Sequence, residues 1–180
     1  MKIPINKLKL ILMYFCENTD PKFLGKVKLM KLFYFLDFMH VKKFGVPVTY
    51  DTYVKLEHGP IPTTIMNLIT TACDDIDSSI LSDTVRFETP MGTQMKRVQS
   101  LKKMTESDLK NFSNSEIQIL RTVCQRFGNK NTKFIEDASH NEAPWSESRI
   151  LEEIPYTLAT KDSDCEVSEE EIQLAMELTR

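Results

Sequence analysis

The stretch that decides the fold runs from residue 24 to residue 62 and reads LGKVKLMKLFYFLDFMHVKKFGVPVTYDTYVKLEHGPIP. Apolar and aromatic residues recur at helical spacing over Leu24–Phe44 and cover most of the circumference, which predicts a central helix contacted from several sides. Gly45 is typical of a helix C-terminus, and Pro47 prevents the helix from continuing. The Val, Thr and Tyr residues of Val46–Glu57 then predict a strand, and prolines bracket the turn that follows it.

Periodicity and capping signals predict further elements on both sides of this stretch. Both Thr105–Asp108 and Ser113–Glu116 place a carboxylate three residues after a hydroxyl, which is the pattern of a capping box. Together the patterns predict one mainly helical α+β domain with a small antiparallel sheet over residues 1–152, followed by an acidic C-terminal segment, 153–180, with a final helix. The predicted helices lie at about 6–17, 24–44, 115–127 and 131–139, with others beginning at 62 and 168, and a β-hairpin joins 85–88 to 94–101.

Composition describes an ordinary globular protein with an uneven charge distribution. The 180 residues suffice for one well-buried core. The formal net charge is −3, whereas a typical nucleic-acid-binding protein carries a strongly basic domain or stripe. Residues 1–44 hold nine lysines and three acids, whereas residues 161–180 hold two basic and seven acidic residues. These runs are either solvated helix faces or ends that attract a charged partner or each other.

Cysteine spacing and hydropathy predict a reduced, cytoplasmic setting. The four cysteines form no C-x-x-C pair, and the chain opens without a signal-peptide pattern. No apolar run approaches the roughly 20 residues that cross a bilayer, so no membrane partner is expected.

No motif indicates a reaction centre. The three histidines are far apart and belong to no H-x-x-x-H pattern, and the five glycines are scattered singly rather than forming a phosphate loop. Three of the four cysteines lie in apolar helical contexts, which disfavour the reactive thiolate. We therefore expect a protein without enzymatic activity, cofactor or metal.

Four short motifs give the chain a resemblance to a known family. In these motifs it resembles the SocA-like antitoxin domain, also called Panacea, over most of residues 5–150. The resemblance implies an antitoxin that binds and neutralises a toxin protein, often encoded next to it. The motif residues are Lys28, Leu29, Lys31, Leu32, Tyr34 and Phe35 in K-L-x-K-L-x-Y-F; Asp51, Thr52, Tyr53 and Lys55 in D-T-Y-x-K; His58, Gly59 and Pro60 in H-G-P; and His140, Glu142, Pro144 and Trp145 in H-x-E-x-P-W.

The H-G-P turn and the H-x-E-x-P-W motif each admit two interpretations. In the structural one, His58 ties a tight reversal, and Trp145 anchors a loop in the core with hydrogen bonds from His140 and Glu142. In the functional one, these side chains lie on the surface and contact a partner. We expect the structural role in both cases.

The expected toxin-binding surface combines the charged face of the second helix, the extended segment and the H-G-P turn. Within the extended segment, either Asp51 and Tyr53 or Tyr50 and Thr52 should point away from the core. An edge strand there could also pair with a strand of the partner, and the acidic final helix could enter the basic groove of a toxin that binds nucleotides or RNA. The candidate residues are Lys28, Lys31, Lys42, Lys43, Tyr50, Asp51, Tyr53, Lys55 and His58.

A DNA-binding regulator is the alternative function. The two helices predicted within residues 115–139 are joined by a glycine turn, as in a helix-turn-helix, and Lys130, Asn131, Thr132 and Lys133 stand at the start of the second. That helix also carries Glu136 and Asp137 and is short, so nucleic acid is not expected to bind this chain by itself. Self-association of the chain stays open.

Overall fold

The computed structural model describes residues 4–178. The predicted mainly helical α+β class is confirmed, although the strands form two separate two-stranded sheets rather than one. The described elements are α1 (Ile5–Glu17), α2 (Lys26–Phe44), β1 (Tyr53–Leu56), β2 (Gly59–Pro62), α3 (Thr63–Asp74), β3 (Val85–Glu88), β4 (Arg97–Ser100), α4 (Glu106–Leu109), α5 (Asn114–Phe127), α6 (Thr132–His140), α7 (Ala143–Ser146), a 3₁₀ helix (Tyr156–Lys161) and α8 (Glu169–Leu178).

Helix α2 is the centre of the core. It contacts α5, α6, β2 and the 3₁₀ helix, and its motif aromatics Tyr34 and Phe35 are fully buried. Phe35 packs against Phe127 of α5 with ring centroids 4.3 Å apart. The helix ends at Gly45, whose φ of 76° is the left-handed conformation expected there. The prediction of a central helix contacted from several sides is therefore confirmed.

The strand predicted over Val46–Glu57 is wrong in its first seven residues. The backbone N–H groups of Val48 and Thr49 donate to the carboxylate of Asp37 on α2, at 2.8 and 2.7 Å. Because these groups bind a side chain of the central helix, they are not available to a strand ladder. Only Tyr53–Leu56 forms a strand.

Residues 59–62, predicted as a turn, form strand β2 instead. The strand pairs antiparallel with β1, and Glu57 and His58 make the tight connection between Leu56 and Gly59. Prolines remove ladder donors, so β2 tolerates them only because its other side faces α2 and α6 rather than a third strand.

A later part of the chain covers the other edge of β1. Leu151 N–H donates to the carbonyl of Lys55 at 2.9 Å, Lys55 N–H donates to the carbonyl of Glu152 at 3.0 Å, and Ile154 N–H donates to the carbonyl of Tyr53 at 2.8 Å. Strand β1 is therefore not a free edge, and the backbone groups expected to pair with a partner strand are already used.

The C-terminal segment packs on the same core as the helices before it. Ile154, Ala159 and Ile172 are buried members of the single hydrophobic cluster. The boundary at residue 152 stays a prediction, and residues 1–3 and 179–180 of the two predicted units lie outside the described part of the chain.

The hairpin and the capping boxes predicted in the second half of the chain are confirmed. Strands β3 and β4 form the predicted antiparallel hairpin, and both predicted capping boxes are present, at the starts of α4 and α5. Within residues 4–178, no helix is both long enough and apolar enough to span a bilayer.

Candidate partner-binding surface

Three lysines of α2 that were expected on the surface are buried. The exposed fractions of Lys28, Lys31 and Lys42 are 0%, 1% and 3%, so the expectation of an exposed charged face is wrong at these positions. Lys28 Nζ donates to the carbonyls of Gly128 and Lys130, at 2.9 and 2.7 Å, and so ties the turn between α5 and α6 to α2. Burial lowers the pKa of Lys28 to about 8.

Lys31 ties the β1–β2 hairpin to α2 in the same way. Its Nζ donates to the carbonyl of Pro60 at 2.9 Å, directly beneath the H-G-P turn. Burial lowers the pKa of Lys31 to about 7, and the nearby carboxylate of Glu136 opposes this shift only in part. Lys31 was predicted to lie on the charged surface, but it is buried and holds the β1–β2 hairpin against α2.

The close approach of Lys31 explains the glycine of the turn. A Cβ on Gly59 would lie 2.8 Å from Lys31 Nζ and 2.9 Å from Ser139 Oγ, and the φ of Gly59 is +101°. No other residue fits both the backbone conformation and the space.

We expect Gly59→Ala to lower the free energy of unfolding by about 3 kcal/mol, because it adds a clash to a left-handed backbone. Gly92→Ala is the matched control: φ is +75° there, but a Cβ would meet nothing within 4 Å, so only the backbone penalty of about 1 kcal/mol applies. Urea unfolding of both variants measures the difference. Equal losses would show that Lys31 and Ser139 do not restrict the turn.

Lys42 joins α2 to the H-x-E-x-P-W motif and to the C-terminal segment. Its Nζ lies 3.2 Å from Glu142 Oε1, 2.9 Å from Asp162 Oδ2 and 3.0 Å from Asp164 Oδ1, and Tyr34 donates to Glu142 at 3.0 Å. Burial alone would lower the pKa of Lys42, but the three carboxylates outweigh it and the pKa is raised. Lys42 and Glu142 are buried and only Asp164 of this cluster is exposed, so the cluster supports the fold from within rather than forming an exposed binding patch.

The extended segment places its acidic and aromatic motif residues inward. Asp51 and Tyr53 are 1% exposed, whereas Thr52 is exposed, so the alternation is confirmed and the expected exposure of Asp51 and Tyr53 is wrong. Asp51 accepts from the N–H of Ile65 at 2.8 Å and thereby caps α3, while Tyr53 donates to Asp37 at 2.8 Å.

The H-x-E-x-P-W motif holds the loop after α6 against the hairpin. Trp145 Nε1 donates to the carbonyl of Leu56 at 3.1 Å, and the indole stacks on His140 with centroids 3.8 Å apart. Lys55, only 8% exposed, places its ammonium 4.0 Å from the centre of the Trp145 ring, and Pro144 is buried at the start of α7. The expected exposure of Lys55 is therefore also wrong.

Of the nine candidate residues, three remain accessible. Tyr50 and Lys43 are half-buried, and the side chain of His58 is 79% exposed, with Nδ1 3.4 Å from Glu136 Oε1. Among the nine candidate residues, His58 is therefore the one whose side chain clearly reaches solvent.

An apolar groove of about 490 Å³ lies beside His58 and was not predicted from the sequence. Three of its aliphatic side chains are unusually exposed: Val27 at 50%, Ile150 at 53% and Leu151 at 74%. We call it the His58 groove, and it is lined by Lys26, Val27, Met30, Lys31, Leu56, Glu57, His58, Gly59, Ile61, Met66, Ile150 and Leu151.

Leu151 is held in a conformation that leucine rarely adopts. Its φ is +69°, which costs an ordinary side chain about 1 kcal/mol or more. The hydrogen bond from Leu151 N–H to Lys55 and the one from Glu152 N–H to the carbonyl of Arg149, at 3.1 Å, fix the turn. The groove thus presents an apolar side chain to solvent from a fixed backbone. The only sequence signal was two consecutive aliphatic residues in a polar stretch.

The environments of two cysteines disfavour the reactive thiolate. Burial raises the pKa of Cys16 and of Cys124 to about 12, so both remain protonated thiols at neutral pH. Among residues 4–178, no group of three His, Cys, Asp or Glu side chains is arranged to hold a metal ion.

The helix-turn-helix alternative would use α5 and α6, joined by residues 128–131. Asn131 already accepts a backbone N–H of the first turn of α6 at 2.9 Å, and Lys133 pairs with Asp137 at 2.6 Å. Glu136 and Asp137 on the same short helix would repel phosphates. DNA binding stays a prediction, and this geometry weakens its support.

Comparison with known proteins now identifies the family. The model of the family described as "Antitoxin SocA-like, Panacea domain" matches residues 29–146, so the chain belongs to this family, as its motifs predicted. No curated protein and no solved structure matches the chain. Family membership supports an antitoxin role in general terms.

Proposed function

We propose that this protein is a cytoplasmic antitoxin without enzymatic activity that neutralises a partner toxin by binding it directly through the His58 groove. Family membership supplies the class of partner, a toxin protein. The observation that carries the choice of surface is the exposed apolar wall that Ile150 and Leu151 form beside His58.

The groove has the properties of an interface centre. A few well-packed anchors supply most of the affinity in an interface of roughly 1,600 Å². Val27, Ile150 and Leu151 are suited to be such anchors, because burying an exposed aliphatic side chain contributes about 1.5–3 kcal/mol. The fixed backbone at Leu151 means that little backbone conformational entropy is lost there on binding.

Co-expression tests the proposed function. The reading frame next to the gene is expressed in a bacterial host, alone and together with this protein. We expect growth arrest when it is expressed alone, recovery with the antitoxin present, and one stable complex on size-exclusion chromatography. A neighbour that is harmless alone, or toxicity that persists with the antitoxin present, would contradict the proposal.

Leu151→Gly separates binding from folding. Glycine accepts the positive φ, so we expect the free energy of unfolding to be retained or raised by up to about 1 kcal/mol. Loss of the anchor should weaken toxin binding at least about tenfold. Ile80→Ser, at a 51% exposed position outside the groove, is the control and should leave affinity unchanged. Unchanged affinity in Leu151→Gly, measured by calorimetry, would place the contact elsewhere.

A further inference from the structure

Of the two charged ends of the sequence, only the acidic C-terminal one places most of its charges on the surface. The basic surplus near the N-terminus is largely used internally: three lysines of α2 are buried, Lys7 pairs with Glu116 at 2.5 Å, and Lys9 pairs with Asp83 at 2.6 Å. The acidic surplus stays on the surface. Its exposed members within the described C-terminal segment are Asp164, Glu166, Glu169, Glu170, Glu171 and Glu177.

A second groove lies at this acidic end. It encloses about 400 Å³ between three walls: residues 50–53, residues 153–157, and the inner face of α8 with Ile172 and Met176. We call it the α8 groove. None of the described residues that line it is basic. Glu153 and Glu177 stand exposed on facing walls, and neither forms an ion pair with another described residue.

Consecutive residues of the chain link the two grooves. Ile150 and Leu151 line the His58 groove, and the chain then passes directly to residues 153–157, which line the α8 groove. One residue, Glu152, lies between Leu151 and Glu153, so their Cα atoms are at most about 7 Å apart. We therefore expect a single partner of ordinary interface size to contact both grooves.

We infer that the α8 groove binds a basic segment of the toxin while the His58 groove binds its apolar residues. The inference rests on the proposed function and specifies the chemistry of the partner. A guanidinium group is the side chain that fits best, because it pairs with carboxylates and stacks on aromatic rings such as that of Tyr50. Opposite charges on the two surfaces also accelerate encounter. The toxin so recognised carries arginines or lysines beside an apolar patch.

A model peptide tests the groove without the toxin. The probe is fluorescein-labelled octa-arginine, and binding is measured by anisotropy at low and moderate salt. We expect salt-dependent binding that Glu153→Gln/Glu177→Gln weakens at least about fivefold. The matched control, Glu166→Gln/Glu170→Gln, changes the net charge equally but lies outside the groove, and its affinity should stay within about twofold of wild type. Equal loss in both variants would reduce the effect to overall charge and overturn the inference.

Charge-reversed variants at the same two positions are then titrated with the toxin. We expect Glu153→Lys/Glu177→Lys to weaken the complex at least about tenfold and to do so mainly through slower association. Near-wild-type unfolding curves of these exposed variants establish that the fold is intact. A complex of unchanged affinity would overturn the inference while leaving the antitoxin function in place, because neutralisation would then proceed without the α8 groove.

Discussion

Asp37→Ala is expected to lower the free energy of unfolding by at least about 4 kcal/mol, because it removes the acceptor of several buried donors at once. Asp37 is fully buried and accepts from the N–H groups of Val48 and Thr49, from the Thr49 hydroxyl and from Tyr53. No other described residue connects the central helix to so much of the extended segment. Each unsatisfied buried donor costs about 1–3 kcal/mol.

Urea denaturation followed by circular dichroism measures the loss. The control is Asp77→Ala, which removes an exposed aspartate from the loop between α3 and β3 and should change the free energy of unfolding by less than about 0.5 kcal/mol. If Asp37→Ala folds at all, its urea midpoint should be far below that of the control. A loss no greater than about 1 kcal/mol would mean that water or a rearranged backbone replaces the carboxylate.

Lys31→Met is expected to remove a large pH dependence of stability. The pKa of Lys31 is about 7 in the folded protein and 10.5 in its ordinary state. Between these values the unfolded chain binds more protons than the folded one, so this group makes stability rise with pH, by up to about 1.4 kcal/mol per unit. Below pH 7 both states are protonated and the full cost of burying the charge is present.

The difference between Lys31→Met and wild type isolates this effect. We expect the stability of the variant relative to wild type to fall by about 1.5 kcal/mol between pH 7 and pH 8.5. The window avoids Asp37, whose pKa burial raises to about 6 and which lowers stability as the pH rises from 4 to 6. Lys110→Met, at an exposed position, should show no such trend. Parallel pH profiles for wild type and Lys31→Met would show that the amine stays charged and satisfied.

Local patterns were sufficient to predict most helices, the β3–β4 hairpin and the family. They failed for residues 46–52, because a buried side chain distant in sequence, Asp37, decides the hydrogen bonding of that backbone. They failed again at Pro60 and Pro62, where a strand exists only because one side faces helices. Both errors have the same origin: contacts with packed helices decide the structure, and the residue pattern of these segments does not reveal those contacts.

The candidate site was harder to predict than the fold. Lys28, Lys31 and Lys42 have the composition of a solvated face, but backbone carbonyls and carboxylates from later parts of the chain satisfy their charges inside the core. The His58 groove could not be predicted because its apolar residues look like core residues in the sequence but are exposed in the fold. Its exposed aliphatic residues, Val27 and Ile150, are about 120 positions apart and carry no motif.

The hydrogen bonds from residues 151–154 to β1 bear on how short the chain can be made. The family match ends at residue 146, before these residues begin. A fragment trimmed to the matched region would leave the backbone N–H and C=O groups on one edge of β1 without partners. Such an edge pairs with strands of other molecules and causes aggregation. We therefore expect the autonomous folding unit to extend beyond residue 146, and expression trials that stop at the match to yield inclusion bodies rather than a smaller folded protein.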